Sequence, residues 1–527
     1  MHNRRISIQN LGLALCLACL ILAPAVTWVG SDTSARRMLL STFELCGWTT
    51  VISLPAGVLL AVLLTRTNMR GKRIAWLLLL TLLFLPLHAT AAGWIAVLGK
   101  LLSQAPAFFQ TAQPLVDGMN AVIWIHSMAA IPWVALIVSL GLAAIPQEVE
   151  EAAILDISPT RFFLGVGLRY YVPFILAAGL FVIVTTAGEM TVTNLYVVPT
   201  YTEKLYNDFT LTRDVASAAI QNLPGICGSV FLAAAVGGSM ASLSSSGFGQ
   251  RFQQPRVYVL GRWQAAFTSL GWSVLLLVFG VPLISLIWKA GLMKQVIGSE
   301  YWSPLALVQM FFVMAYRFRV EFRVSAHYAF WGSVAALLVA LPLAILARAG
   351  GLRRWPAIVT AAICWAIPGP LVGLFLIGML NWRVAPLVFL TDKTPLVPAL
   401  ALGIKALPIT ILILWPAFAS IPRQSLEAAQ LDGAGRLALL WRILLPQRAG
   451  AIAAAGVIAF AIGLGDLAWS ILVLRTDTVQ RRVFGLIHSG VDEQVAGVSL
   501  VTLGLYLVLA IGIRTLFIRW TSTRKTT

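Results

Sequence analysis

Three ionisable residues stand inside long apolar runs of this chain: Glu189 in Ala187-Gly188-Glu189-Met190, Asp466 in Gly463-Leu464-Gly465-Asp466, and Lys405 within 396–420. On insertion scales a charge at the centre of a bilayer costs about 2.5–3.5 kcal/mol, so such a residue is expected on a solute pathway or in an ion pair. Glu189 and Asp466 follow two other acidic residues, Glu151 and Glu427, by 38 and 39 positions. Facing each other across a midplane path, they would suit a cation. The alternative is that they hydrogen-bond to neighbouring helices, or that one pairs with Lys405, for which a structural role is the favoured reading. His126 and His88 also fall in apolar runs with no second ligand one helical turn away, and read as hydrogen-bonded core residues rather than metal ligands.

The elements that must hold these residues follow from composition. Of 527 residues, 59% are hydrophobic and 11% charged, and the mean hydropathy is +0.87. A soluble chain carries roughly 25% charged residues, because it must present a polar surface to water. Here the apolar residues come in blocks of about 20, the length that crosses a hydrocarbon core. The expected fold is an all-α polytopic membrane protein with about twelve transmembrane helices in two homologous six-helix halves. The first six spans lie near 9–29, 42–64, 74–98, 119–143, 173–198 and 222–242; the second six near 264–288, 327–347, 355–380, 396–420, 449–474 and 497–518. The first half is 1–243, a polar cytoplasmic linker is 244–263, and the second half is 264–527. The run 9–29 follows Arg4-Arg5 and ends near Ala23-Pro24-Ala25 like a signal peptide, but it is counted as a span because the two-half symmetry needs it. Pro304 to Tyr316 is apolar yet too short to span, and reads as an interfacial helix on the outer side.

The net charge of +18 belongs to loops that meet membrane lipid, not to nucleic-acid binding. With both termini cytoplasmic, the cytoplasmic segments hold 22 Lys and Arg against 15 outside. Cys16, Cys19, Cys46, Cys227 and Cys364 lack zinc-site spacing and read as small core residues. No nucleophile–base or metal cluster argues for an enzyme. A Gly-x-x-x-x-Gly-Lys-Ser/Thr phosphate loop is missing too, since Gly71-Lys72 lacks the upstream glycine; the chain is expected to bind no cofactor and to hydrolyse no ATP itself.

A repeat supplies the functional argument. Residues 145–156 read IPQEVEEAAILD and residues 421–432 read IPRQSLEAAQLD, with seven identities in twelve at a constant spacing of 276. Glu151, Ala152, Ala153 and Asp156 thus match Glu427, Ala428, Ala429 and Asp432. Pro146 and Pro422 end the preceding span, and Glu-Ala-Ala opens a short helix with a small face that another surface can approach closely. In the second copy Gly433 permits a turn before a second short helix, Leu437 to Leu444, closed by Pro446. In the first copy Ile157 stands where Gly433 would be, Ser158-Pro159 offers the turn, and the closing proline comes late, at Pro173.

The second copy, with Glu427-Ala428-Ala429, Gly433, Ile443, Leu445 and Pro446, resembles the EAA loop of type I binding-protein-dependent ABC importer permeases. Two such halves in one chain resemble the iron(III) and thiamine transport permeases. The resemblance implies that segments 145–173 and 421–446 are coupling helices, each docked on one of two copies of a cytoplasmic ABC ATPase that binds the ATP. It also implies a periplasmic or lipid-anchored solute-binding protein, touching the outer loops Thr200 to Gln221 and Arg475 to Gln494 with Tyr201, Tyr206, Arg481 and Arg482. The expected role is an inner-membrane pore subunit working by alternating access, with iron(III) the leading solute and thiamine or a small oxyanion behind it. The rival from another class, a secondary transporter with internal repeats, leaves the two loops unexplained.

Overall fold

A hydrocarbon environment leaves backbone N–H and C=O groups no partner but each other, which for one chain of apolar runs means helices. The computed structural model describes residues 31–522 apart from 104–117, 213–216, 218–219, 221, 246–255, 295–299, 381–388, 390–393, 468, 470 and 474–475, together with 18, 22 and 25–28. Among the described residues the one sheet is a small hairpin, Leu292–Lys294 against Glu300–Trp302. Among the described residues eight helices are long and apolar enough to cross a bilayer, or 11 if three bent pairs are each one span. These fall on the expected spans from 42–64 onward, while 9–29 lies largely outside the described residues.

The chain runs α1 (Thr33–Arg66), α2 (Lys72–Phe84), α3 (Leu87–Ser103), α4 (Gly118–Ala143), α5 (Gln147–Asp156), α6 (Pro159–Leu164), α7 (Leu168–Ala187), α8 (Thr191–Leu195), α9 (Tyr201–Thr212) and α10 (Leu223–Ser245). There follow α11 (Gln264–Leu275), a π-helical turn, α12 (Val281–Ala290), α13 (Pro304–Arg317), α14 (Arg319–Ala347), α15 (Trp355–Ala366), α16 (Gly369–Leu380) and α17 (Leu396–Ala419). The chain ends with α18 (Arg423–Leu431), α19 (Arg436–Leu439), α20 (Leu445–Gln447), α21 (Ala449–Leu464), α22 (Val479–His488) and α23 (Asp492–Ser522). The two most extensive helix pairings are α1 on α4 and α14 on α17, the same pair in each copy. Glycines let them approach. A Cβ on Gly57 would lie 2.5 Å from the Val134 side chain, and one on Gly332 would lie 2.9 Å from Leu402 Cβ. Helices from the two parts of the chain interlock: α10 packs on α15, α12 on α3, and α23 on α2 and α3. The short helix α13 seats Met310 and Met314 on α23 at Gly497 and leaves Leu305, Phe312 and Tyr316 exposed.

Several expected span boundaries are corrected. The span at 42–64 begins instead at Thr33, because Asp32 accepts a hydrogen bond from the Ala35 amide at 2.6 Å and caps the helix earlier. The spans at 74–98 and 355–380 are not straight, and each bends by 104°. The reason is one dipeptide type in both places: Leu85 and Ile367, each before a proline, take extended backbone (ψ 122° and 124°). The spans at 173–198 and 449–474 stop at Ala187 and Leu464, where Gly188 and Gly465 cap the helices with nearly identical dihedrals (φ −88°, ψ −3° and φ −86°, ψ −1°). Glu189 and Asp466 therefore sit on turns just past helix ends rather than on the helices.

The tight α1–α4 contact gives a first prediction. Gly57→Leu has to push α4 away and should cost about 1–3 kcal/mol, read as a lower thermal midpoint of the detergent-solubilised protein. An unchanged midpoint would show that the two helices separate freely there.

Candidate functional site

The two repeated segments fold as short helix pairs, α5–α6 and α18–α19, with matching burial. Ile145 and Ile421 are buried (4% and 3% exposed), as are Glu150 and Leu426 (1% and 8%). Glu151, Ala152, Asp156 and their counterparts Glu427, Ala428, Asp432 are exposed, and Ala153 and Ala429 are half-buried. Leu155 and Leu431, one register position in the two copies, are 86% and 89% exposed. A solvent-facing leucine costs apolar hydration that nothing inside this chain offsets. The sequence singled out the Glu-Ala-Ala triplets but not these leucines, although their identity across the repeat was the available signal.

The turns are built differently. In the second copy Gly433 is left-handed (φ +82°), with Ala434 N donating to Ala429 O at 2.9 Å and Gly433 N to Gln430 O at 3.0 Å; this pair of bonds satisfies the last carbonyls of α18. In the first copy Ile157 is extended (φ −131°, ψ 152°), and Ser158 caps α6 by accepting from Arg161 N at 3.4 Å, with Pro159 as the first helical residue. The Ser-Pro turn thus forms without a glycine. Pro173 does not close this loop; it lies inside α7.

A buried polar cluster anchors the first copy. Arg66, 1% exposed, sets Nη1 2.7 Å from Glu150 Oε2 and donates through Nη2 to Leu142 O, and its guanidinium lies 5.7 Å from the centre of the Phe163 ring. Tyr258, from the linker, donates its hydroxyl to Glu150 Oε1 at 2.5 Å, while its amide donates to Arg66 O at 2.7 Å. Burial, reinforced by the Glu150 carboxylate, pushes the Tyr258 phenol above its usual range, so it remains a donor at physiological pH. In the second copy the corresponding position is the apolar Leu426, and Arg448 instead donates to Ala417 O at 2.5 Å and Ser420 Oγ at 3.2 Å.

Deeper in the fold, both helix breaks and both acidic turns meet in one cavity of about 340 Å³. Its walls include Pro86, His88, His126, Glu189, Pro368, Lys405 and Asp466, with Trp133, Phe181 and Trp365 among the apolar residues. Irregular backbone at such depth is tolerated where it lines a cavity. The three ionisable residues picked out from sequence are thus brought together, but neither carboxylate is free. Lys405 Nζ is 2.6 Å from Asp466 Oδ1, and Asp466 Oδ2 accepts from Trp469 N at 3.2 Å. His126 Nε2 is 3.3 Å from Glu189 Oε2, and Glu189 also accepts from Thr191 N at 2.5 Å and Val192 N at 3.1 Å. His126 is therefore the partner that sequence reasoning passed over. It lies on α4 about one turn farther from the loop than Lys405 does on α17, 17 against 14 residues before the helix end. Among the described residues no group of three His, Cys, Asp or Glu could hold a metal.

At the opposite end from the loops, α9 and α22 occupy the two expected outer segments. Tyr201 and Tyr206 are half-buried; Arg481 and Arg482 are exposed, with Arg482 Nε 3.3 Å from Asp477 and 3.5 Å from Glu321. Cys46 is buried, and Cys227 and Cys364 are half-buried and free; Cys16 and Cys19 lie outside the described residues.

The Arg66 cluster yields a prediction that uses the repeat. Glu150→Leu, the residue present at the matching position 426, strands a buried guanidinium and should cost about 3–5 kcal/mol. The double variant Glu150→Leu with Arg66→Met should recover most of the lost thermal midpoint in detergent. Equal midpoints for single and double variants would show that the charge of Arg66 is not what Glu150 satisfies.

Comparison with known proteins places part of the chain. Residues 332–525 match the family described as binding-protein-dependent transport system inner membrane component. A stretch of 69 residues is 36% identical to sn-glycerol-3-phosphate transport system permease proteins of Yersinia enterocolitica and Yersinia pestis, covering 13% of this chain. The chain spans about a quarter (25%) of the length of these curated relatives. No solved structure matches. From α14 to α23, the part that carries the second loop, Lys405 and Asp466, the chain is similar to the inner-membrane components of binding-protein-dependent transport systems.

Proposed function

We propose that this chain is the pore subunit of an ATP-driven importer, taking a small solute from an exported binding protein to the cytoplasm by alternating access. One observation carries the reading: two equivalent short helix pairs, each presenting Glu-Ala-Ala and one almost fully exposed leucine, Leu155 or Leu431. A pair of apolar knobs held out by rigid turns fits two copies of one partner, here the ATPase subunits, which bind the ATP. With the bent pair α15–α16 counted as one crossing, six spans separate the two loops, an even number that brings both to the same side. The role is that of a transport subunit in the inner membrane, with ATP hydrolysis on its partners. Glu189, Asp466 and Lys405 line its translocation pathway at the cavity.

The finer reading is that the solute is iron(III), supported by the fused two-half layout. A second reading has its own support. With both carboxylates engaged by His126 and Lys405, the cavity is not an acidic trap, and the Lys405 side chain keeps 31% of its surface exposed while that of Asp466 is fully buried. That favours a small anionic solute, in keeping with relatives named for sn-glycerol 3-phosphate.

Purification from native membranes through a C-terminal tag should recover an ATPase and a solute-binding protein, and uptake of labelled iron(III) or glycerol 3-phosphate by the reconstituted complex then separates the two solutes. An intact chain with no ATPase would overturn the importer reading. Gly433→Val forces a branched side chain into a left-handed turn and should reduce uptake at least tenfold while leaving the protein in the membrane; normal uptake would remove the coupling role of the second loop.

A further inference from the structure

We propose that His126 with Glu189, and Lys405 with Asp466, are equivalent brackets that make each loop-bearing helix pair a rigid lever reaching the cavity. This rests on the coupling role proposed for the loops. The first loop joins α4 to α7, and the second joins α17 to α21. In each pair the loop ties the two helices at one end only. His126 lies 17 residues before the end of α4 and Lys405 lies 14 before the end of α17, about 21–26 Å from the loops at 1.5 Å per residue. A displacement applied at a loop reaches the cavity undiminished only if the two helices are prevented from sliding at that far end.

The brackets supply the constraint. Each joins the fourth helix of its copy to the turn that follows the fifth, through a carboxylate that also accepts backbone N–H groups of that turn: Thr191 and Val192 for Glu189, Trp469 for Asp466. His126 is itself aimed by its Nδ1, 2.8 Å from Val122 O one turn earlier on α4. The residue types differ between copies, imidazole with Glu in one and ammonium with Asp in the other, yet both join the same two elements. A bridge retained while its chemistry changes points to the bridge itself as the function. These are positioning residues, acting on the loop–cavity linkage.

The test uses the complete importer in lipid vesicles, reading uptake of labelled iron(III) or glycerol 3-phosphate, whichever the wild type takes up, per ATP hydrolysed, and the amount of ATPase bound. Lys405→Met with Asp466→Leu removes the second bridge without stranding a charge. It is expected to lower uptake per ATP about tenfold with ATPase binding retained; an unchanged ratio overturns the bracket. In a chain freed of native cysteines, Lys405→Cys with Asp466→Cys is expected to lose coupling like the Met and Leu pair, and joining the two thiols by a short bis-thiosulfonate linker is expected to raise uptake per ATP severalfold over the same chain unlinked, since a bracket stays closed through the cycle. Uptake blocked by the linker and restored by reduction would overturn it, because the pair would then have to open. If the wild-type chain shows no coupled ATPase at all, the importer reading fails and the bracket with it.

Discussion

The constraint on which the structure depends is that a bilayer interior offers no hydrogen-bond partner to a broken helix. Every interruption must find its partners inside the protein. Here four interruptions, at Leu85-Pro86, Gly188-Glu189, Ile367-Pro368 and Gly465-Asp466, converge on one cavity. Two of them are covered by carboxylates that accept the freed amides of the next turn. The buried carboxylates then need side-chain neighbours of their own, and His126 and Lys405 stand 3.3 and 2.6 Å from them. The polar residues of the membrane interior thus form a connected consequence of breaking helices, and the cavity exists because the breaks do.

The same economy shapes the loops. Glu150 and Leu426 occupy one register position, and both are buried, one on Arg66 and Tyr258 and the other in apolar packing. The first loop turns through Ser158-Pro159 and the second through a left-handed Gly433. What survives these exchanges is placement: Ile145 and Ile421 inward, Leu155 and Leu431 outward. Fixing the outward residue so firmly is useful only where something outside meets it.

Much of this was legible in the sequence, and the exceptions have physical causes. The order of the spans, and eleven of the twelve expected ones when each bent pair is counted once, followed from hydropathy, because crossing the core requires length and apolarity and little else. The 104° bends did not, since hydropathy averages over Pro86 and Pro368 and cannot distinguish a bent pair from a straight span. Glu189 and Asp466 were found as isolated charges and Lys405 as a partner for one of them, which is Asp466, but the partner of Glu189 was not found. His126 lies 63 residues from Glu189 and looked like a core histidine, because pairing across helices leaves no trace in local spacing. Glu150 was passed over beside Glu151: without the fold, nothing says which of two adjacent carboxylates points inward.

Engaged carboxylates also bear on how such a cavity could pass a solute. A path must admit a solute without retaining it, so free carboxylates gathered on one wall would hold a multivalent cation too well to release it. With Glu189 beside His126 and Asp466 paired with Lys405, neither carboxylate stands open to such a cation, while polar groups remain on the cavity wall. If the chain is the pore subunit proposed above, what is left to it is opening one end at a time, which is a matter of how rigidly the loops are joined to the cavity walls.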